Sequence, residues 1–597
     1  HNVTIGAVTA LRDCGVRMIS ELTAEFLVCV LNGRLFMHEL RRGLSAAALI
    51  SLIALTSIPA AAAEDAKASD ASAHILQAEM AQQRQDYLQA ATEYRKASAL
   101  SEDVELARKA TMVGFSYRFD EEALKAAKRW SKLDPDSDEA RVYLAQSYFR
   151  VGDLKKARRN FKVLIENGEN APGQRLLSLV RYLSEEGSAK NADKLMRALA
   201  KPYKDDSLAH YAVAALALEA GDTEHAMERA LRSSELDPDN VKPRLLYARA
   251  MLVEGDTDKA IEYTARIIGD DPDPDPDARM ELAIMYMMVD RDDDALSQVN
   301  QVLLEQSGRS DALRLMAIIN FRQNFLDAAW DDFEDLLATG QYRMDALYYL
   351  GRIADVRDEH ERAILLYREV QFGSNASAAQ RRASALLAFE NDDLDAAVEV
   401  LDKFAEESPK HAVDMLVAKA QLYASKKEYE RSLELYDRAI KFRPDQEGTA
   451  LSRAEVLLRS SRLDDAIDAY SAAVKRWPDS ALSMNALGYT LADRTERFAE
   501  AEDLITRALK LDPDNPAIID SHGWVLHKLG RHEEALGQLE LAYEAFADHE
   551  VAAHLIEVLV ALDRRNEALE LLASATEQTP DSPLLDDVRT RLFAETP

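Results

Sequence analysis

Gly530-Arg-His-Glu-Glu-Ala535 is the stretch from which the fold can be read, because its closing alanine recurs at a fixed distance along the chain. Aligned on that residue, the equivalent positions are Ala90, Ala123, Ala157, Ala192, Ala226, Ala260, Ala295, Ala329, Ala363, Ala397, Ser432, Ala466, Ala501, Ala535 and Ala568. The spacings are all 33, 34 or 35 residues. One alanine in a helix-rich chain means little, but fifteen small residues in register mark an internal repeat.

Other positions keep the same frame. Twelve residues before the anchor lies a second small residue, as in Ala145, Ala214, Ala248, Ala283, Ala317, Gly351, Ala420, Ala454 and Gly523. Five before it a turn residue is common (Gly152, Gly221, Gly255, Asn324, Gly530), and twelve after it a proline (Pro135, Pro238, Pro272, Pro409, Pro444, Pro478, Pro513, Pro580). The two small residues let a pair of helices approach closely where they cross. The turn residue ends the first helix, and proline ends the second because it lacks the amide donor and clashes with the preceding turn. Each repeat is therefore expected to hold two helices of about 12–14 residues.

This pattern resembles the tetratricopeptide repeat (TPR) family, over residues 73–580. The resemblance implies an all-α superhelical solenoid of about fifteen helix–turn–helix repeats. The weakest unit is Ala171–Lys204, where Val180 replaces the first small residue and Lys204 the proline. Leu584, Leu585, Val588, Leu592 and Phe593 among charged residues predict an amphipathic capping helix over 581–597.

Composition fits that reading. The 597 residues are 47% hydrophobic with only 21 Gly and 17 Pro, a mixture that favours helix. A net charge of −32 repels phosphate backbones and argues against a nucleic-acid partner. Both cysteines, Cys14 and Cys29, precede the expected mature start. Arg41-Arg42, the apolar run Leu44–Ile58 and Pro59-Ala-Ala-Ala-Ala63 read as a signal peptide over 37–63, cleaved near Ala63–Glu64. An uncleaved anchor is the competing reading. Residues 1–36 then read as upstream sequence translated in frame, and 64–72 as a flexible leader.

A solenoid of this kind exposes a concave face built by the first helix of each repeat. The family resemblance implies that the positions eleven and eight residues before the anchor point into it. In the middle repeats these are Arg249 and Leu252, Ile284 and Met287, Ile318 and Phe321, Arg352 and Asp355, and Leu386 and Phe389, with Arg314 and Arg382 on nearby turns. Apolar, Arg and aromatic residues on such a face are typical interface anchors, and Met280, Met285, Met287 and Met288 add adaptable side chains. If the register is off by one, the same residues are core.

Catalytic and cofactor motifs do not emerge. The run Asp270-Asp-Pro-Asp-Pro-Asp-Pro-Asp277 could hold a hard cation, but Asp-Pro is the ordinary terminator here and a solvated loop is the simpler reading. His549-Glu-Val-Ala-Ala-His554 is one residue too long for a zinc-protease motif, which leaves its histidines about 140° apart on a helix. There is no Walker loop, G-x-G-x-x-G or G-x-S-x-G. The expected function is binding without catalysis, cofactor or metal.

The stretches Asn485–Asp493, Leu511–Leu526 and Ala552–Glu557 resemble proteobacterial envelope repeat proteins, among them an outer-membrane lipoprotein that brings cell-wall hydrolases to a carboxy-terminal processing protease. By resemblance the chain is an exported, periplasmic adaptor, associated with the outer membrane. It departs from that pattern in having no lipid-bearing Cys after the apolar run. A scaffold for envelope polysaccharide or protein export is the alternative.

Overall fold

The structure, a computed structural model, describes residues 61–593 other than Pro272, with side chains from 69 onward. Among the described residues it contains thirty-one α-helices, one short 3-10 turn (Pro409–His411) and no strand. We number the helices α1 to α31 in chain order. They form fifteen pairs, from α1 (Ala61–Gln83) and α2 (Tyr87–Leu100) to α29 (His549–Ala561) and α30 (Arg565–Gln578), followed by α31 (Pro583–Phe593).

The repeat frame has a direct structural expression. All fifteen anchor residues are fully buried, at 0% exposure. Gly351, Gly488 and Gly523 sit where a methyl group would come within 3 Å of the facing second helix, so the small residue is a condition of the crossing. Five residues before the anchor, thirteen of the fifteen repeats have a residue with positive φ. Nine of these are not glycine, Lys427 and Gln85 among them. The left-handed turn is thus imposed by helix packing even where the residue type disfavours it. Second helices stop two residues before proline, at Leu133, Leu236, Phe442, Arg476, Leu511 and Gln578, as a missing donor requires.

The chain divides into two compact units, one ending at Ala383 and including Glu407–Lys410, the other comprising Ser384–Glu406 and His411 onward. In the first, Trp130, Phe149, Phe161, Leu176, Leu183, Met196 and Leu216 are the large core residues. The Ala171–Lys204 repeat is distorted: α7 (Pro172–Glu186) packs more extensively on α9 (Ser207–Glu219) than on its own partner α8 (Ala189–Ala200). Val180, at the position that is Ala or Gly in most repeats, is only half-buried. In the second unit, Leu539, Ile556, Val558, Leu585 and Val588 belong to one cluster, in which α31 covers the last repeat.

One expectation changes. Residues 64–72 lie inside α1, because Glu-Asp-Ala-Lys-Ala-Ser-Asp-Ala-Ser contains no helix breaker. Residues 1–36, the signal segment up to residue 60 and the last four residues lie outside the described part. The Asp270–Asp277 run supplies a helix cap: Asp275 accepts from the Asp277 amide and opens the helix Pro276–Met288, while Asp277 pairs with Arg309 at 2.6 Å. No described helix is long and apolar enough to cross a membrane.

Candidate protein-binding groove

The groove positions read from the middle repeats are mostly closed. Arg249, Leu252, Ile284, Met287, Arg314, Ile318 and Leu386 are all buried. For Arg249, Leu252, Ile284 and Met287 the reason is the direct packing of successive first helices: α11 (Val241–Glu254) touches both α9 and α13 (Pro276–Met288), so each covers its neighbour's inner face. Arg249 makes a bidentate, buried pair with Glu281 of the next repeat. Arg314 donates to Asp345 at 2.6 Å and lies 5.3 Å from the Tyr342 ring. Met280, Met285 and Met287 are core, and only Met288 is exposed.

Phe321 and Arg352 do meet. The guanidinium lies 4.7 Å above the Phe321 ring, and Phe321 packs edge-on against Tyr349 at 5.5 Å. Arg382 is exposed and held by Asp355 at 2.6 and 2.8 Å. These contacts make an Arg–aromatic network within the first unit rather than an open apolar stripe.

At Leu386 and Phe389 the register shifts. Ser384, not Ala385, is the small residue of that repeat, and its hydroxyl donates to the carbonyl of anchor Ala397 at 2.7 Å. The turn Glu390–Asp393 is one residue longer than usual, which moves Leu386 into the core and leaves Phe389 51% exposed.

An open groove exists further along, in the second unit. It is lined by first helices α21 (Ala412–Ser425), α23 (Glu447–Arg459) and α25 (Ala481–Arg494). These enclose a pocket of about 490 Å³ between Gln421, Ala424, Leu451, Val456, Leu482 and Ala486, with Tyr436 and Tyr470 at its floor and Glu455 and Arg459 at its edge. Leu482 is 59% exposed. Glu455 accepts from the Tyr470 hydroxyl at 3.3 Å, and desolvation by the pocket walls holds its carboxyl above the usual range. Arg459 donates to the Ala424 carbonyl at 3.2 Å. Apolar walls with a few placed charges suit a peptide segment.

Beyond the pocket the same face becomes a buried network joining α25, α27 (Pro516–Lys528) and α29. The Tyr489 hydroxyl donates to Glu550 at 2.7 Å, and His554 Nδ1 lies 2.9 Å from Asp520 Oδ1. The imidazole stacks on Trp524 with centroids 4.1 Å apart. Burial opposes charge on His554, but the Asp520 carboxylate outweighs it and holds the pKa above the ordinary value. Burial, and then the neighbouring His532, push His527 down to about 4. Asn485 Oδ1 and Trp524 Nε1 are buried without a hydrogen-bond partner among the described residues, so this face retains bonding capacity. Tyr489, Asp520, Trp524 and His554 all fall within the three carboxy-terminal stretches singled out by resemblance; Leu451, Glu455 and Leu482 carried no comparable signal. No group of three potential metal ligands occurs among the described residues.

Paired helices with buried small anchors and a groove lined by their first members define a helical-repeat scaffold of the protein-binding class. Tetratricopeptide repeat models match residues 314–379, 382–447 and 451–516, and a second such model matches 217–276, 254–319 and 526–592. The chain belongs to the tetratricopeptide repeat family. It is 34% identical over 215 residues to a TPR repeat-containing protein of Pseudomonas aeruginosa, a match that spans 36% of this chain and 36% of that protein. Among solved structures, a TPR protein of Thermus thermophilus is 22% identical, with 30% of this chain and 96% of that one covered and a TM-score of 0.27. The APC/C hetero-tetramer Cut9–Hcn1 gives 13% identity, 88% and 96% coverage and a TM-score of 0.32. Yeast Tom70 gives 14%, 87% and 94%, and 0.29.

Proposed function

We propose that the chain is a non-catalytic periplasmic adaptor, peripheral to the outer membrane, whose groove in residues 412–561 holds a protein partner. In this reading it brings cell-wall hydrolases to a carboxy-terminal processing protease. The observation that carries it is the apolar pocket of about 490 Å³ between Leu451, Val456 and Leu482, which continues into the Tyr489–Glu550–His554–Asp520 network. Tyr489, Asp520 and His554 of that network lie in the stretches that resemble envelope adaptors. Apolar walls support peptide capture over saccharide guidance, since a saccharide channel needs polar linings. The signal-peptide reading of residues 37–63 supports export.

The test is affinity purification of the full chain from envelope extract beside a Leu482→Glu/Glu455→Lys variant. Both residues are exposed, and circular dichroism checks that the variant keeps its fold. A processing protease or a wall hydrolase retained by the wild type and lost from the variant is the expected result. Recovery of polysaccharide-export proteins alone, or of no envelope protein, contradicts the adaptor role.

A further inference from the structure

The first unit carries a second surface, away from any groove. Along the edge formed by the turns within repeats six to nine, Val253, Met288, Phe325 and Val356 are 41%, 37%, 57% and 59% exposed. Val253, Met288 and Val356 lie seven residues before the anchor, at the end of a first helix or one residue short of it; in repeat eight Arg322 holds that position and the exposed Phe325 follows three residues on. Other repeats place Arg150, Glu185, Glu219, Arg459 and Lys528 there. Apolar residues recurring at one exposed position are not the scattered exposure every protein shows.

Side chains tie the turns of repeats seven to nine together. Arg322 bonds the Met287 carbonyl at 3.0 Å and Asp290 at 2.6 Å, and Gln323 bonds Asp293 at 3.0 Å. Arg357 pairs with Asp327. The same edge is acidic: segments 253–259, 288–294, 322–328 and 356–362 hold eleven Asp and Glu against five Lys and Arg. The corresponding turns 459–465, 494–500 and 528–534 each hold two of either sign. Apolar and acidic character therefore coincide on this edge and not on those three turns.

From this coincidence we infer that the turn edge of repeats six to nine is a docking surface for a basic amphipathic α-helix. Charge complementarity selects a cationic partner. Spacing selects a helix: packed helices of successive repeats lie about 8–10 Å apart, close to the ~10.5 Å between residues seven apart in a helix. An extended strand repeats one face every ~6.7 Å and falls out of step. One apolar side chain per two turns then meets one repeat, and its Lys and Arg flanks face the acids. This surface is independent of the groove, and its loss leaves the adaptor reading untouched.

The probe is a fluorescent peptide of about six helical turns, with Leu at heptad spacing and Lys or Arg between. Its binding to the full chain is read by anisotropy. Three controls are a scrambled peptide of the same composition, a Met288→Ser/Phe325→Ser/Val356→Ser variant, and Leu482→Glu in the groove. All three serine sites are exposed, and circular dichroism checks that the fold is kept. The expected result is binding that weakens with salt, weakens about tenfold or more in the serine variant, and is unchanged by Leu482→Glu. Equal binding by wild type and serine variant, or by the scrambled peptide, overturns the inference as mere attraction to an acidic protein. Self-association of the wild type that the serine variant lacks also overturns it, by making a second copy the occupant.

Discussion

Asp520→Asn isolates the charge in the carboxy-terminal network. Asp520 faces His554 Nδ1 with both oxygens, at 2.9 and 3.2 Å, inside a site where neither side chain is more than 9% exposed. Asparagine keeps the shape and one accepting oxygen, so the hydrogen bond survives and the charge does not. A bond to a charged group contributes about 1.5–3 kcal/mol and a neutral one about 0.5–1.5, which leaves a difference of roughly 1–1.5 kcal/mol. The larger loss of ~3–5 kcal/mol for a stranded buried charge does not apply, because His554 can release its proton.

The sign of the pH dependence follows from the raised pKa of His554. Its stabilisation is fully present below the unfolded histidine value and is lost as pH rises through the folded value. The variant should therefore lose about 1–1.5 kcal/mol near pH 6 and less at a pH above the folded value. Solenoids unfold in stages, so amide hydrogen exchange in α27 and α29 is the appropriate readout, beside urea melts. Equal losses at both pH values, or a gain near pH 6, would refute the charged-pair reading.

Arg249→Met should destabilise the first unit by about 3–5 kcal/mol in urea, because it strands the buried Glu281, whereas Arg249→Met/Glu281→Leu should recover most of that loss. His527→Gln should flatten the acid limb of the stability profile: the wild-type imidazole is held down to about 4, so the unfolded chain binds that proton first and stability falls from pH 6.5 toward 4. Gly351→Ala should cost about 1–3 kcal/mol in thermal or urea unfolding, since the new methyl meets the Tyr367 ring at 2.9 Å.

The solenoid was legible because its constraint is local and repeated. Wherever two helices cross at a buried anchor, only Ala, Ser or Gly fits, and the frame shows through every other substitution. The groove was not legible for the opposite reason. Whether the position of Leu252 or Ile284 faces solvent depends on how closely successive first helices approach, and no single repeat encodes that distance. Phe389 shows how one added turn residue, in Glu390–Asp393, shifts a frame that is regular elsewhere. His554 lies 34 residues from Asp520 and 65 from Tyr489, so its partners emerge only on folding. Helical spacing separates His549 from His554 but could not say that His554 is buried against Trp524.

The most direct test is hydrogen–deuterium exchange of the full chain, alone and with an inactive carboxy-terminal processing protease from the same envelope. Protection concentrated in α21, α23, α25, α27 and α29, and abolished by Leu482→Glu, is the predicted result. Unchanged exchange throughout, or protection confined to the second helices of these repeats, would contradict the groove as the partner site.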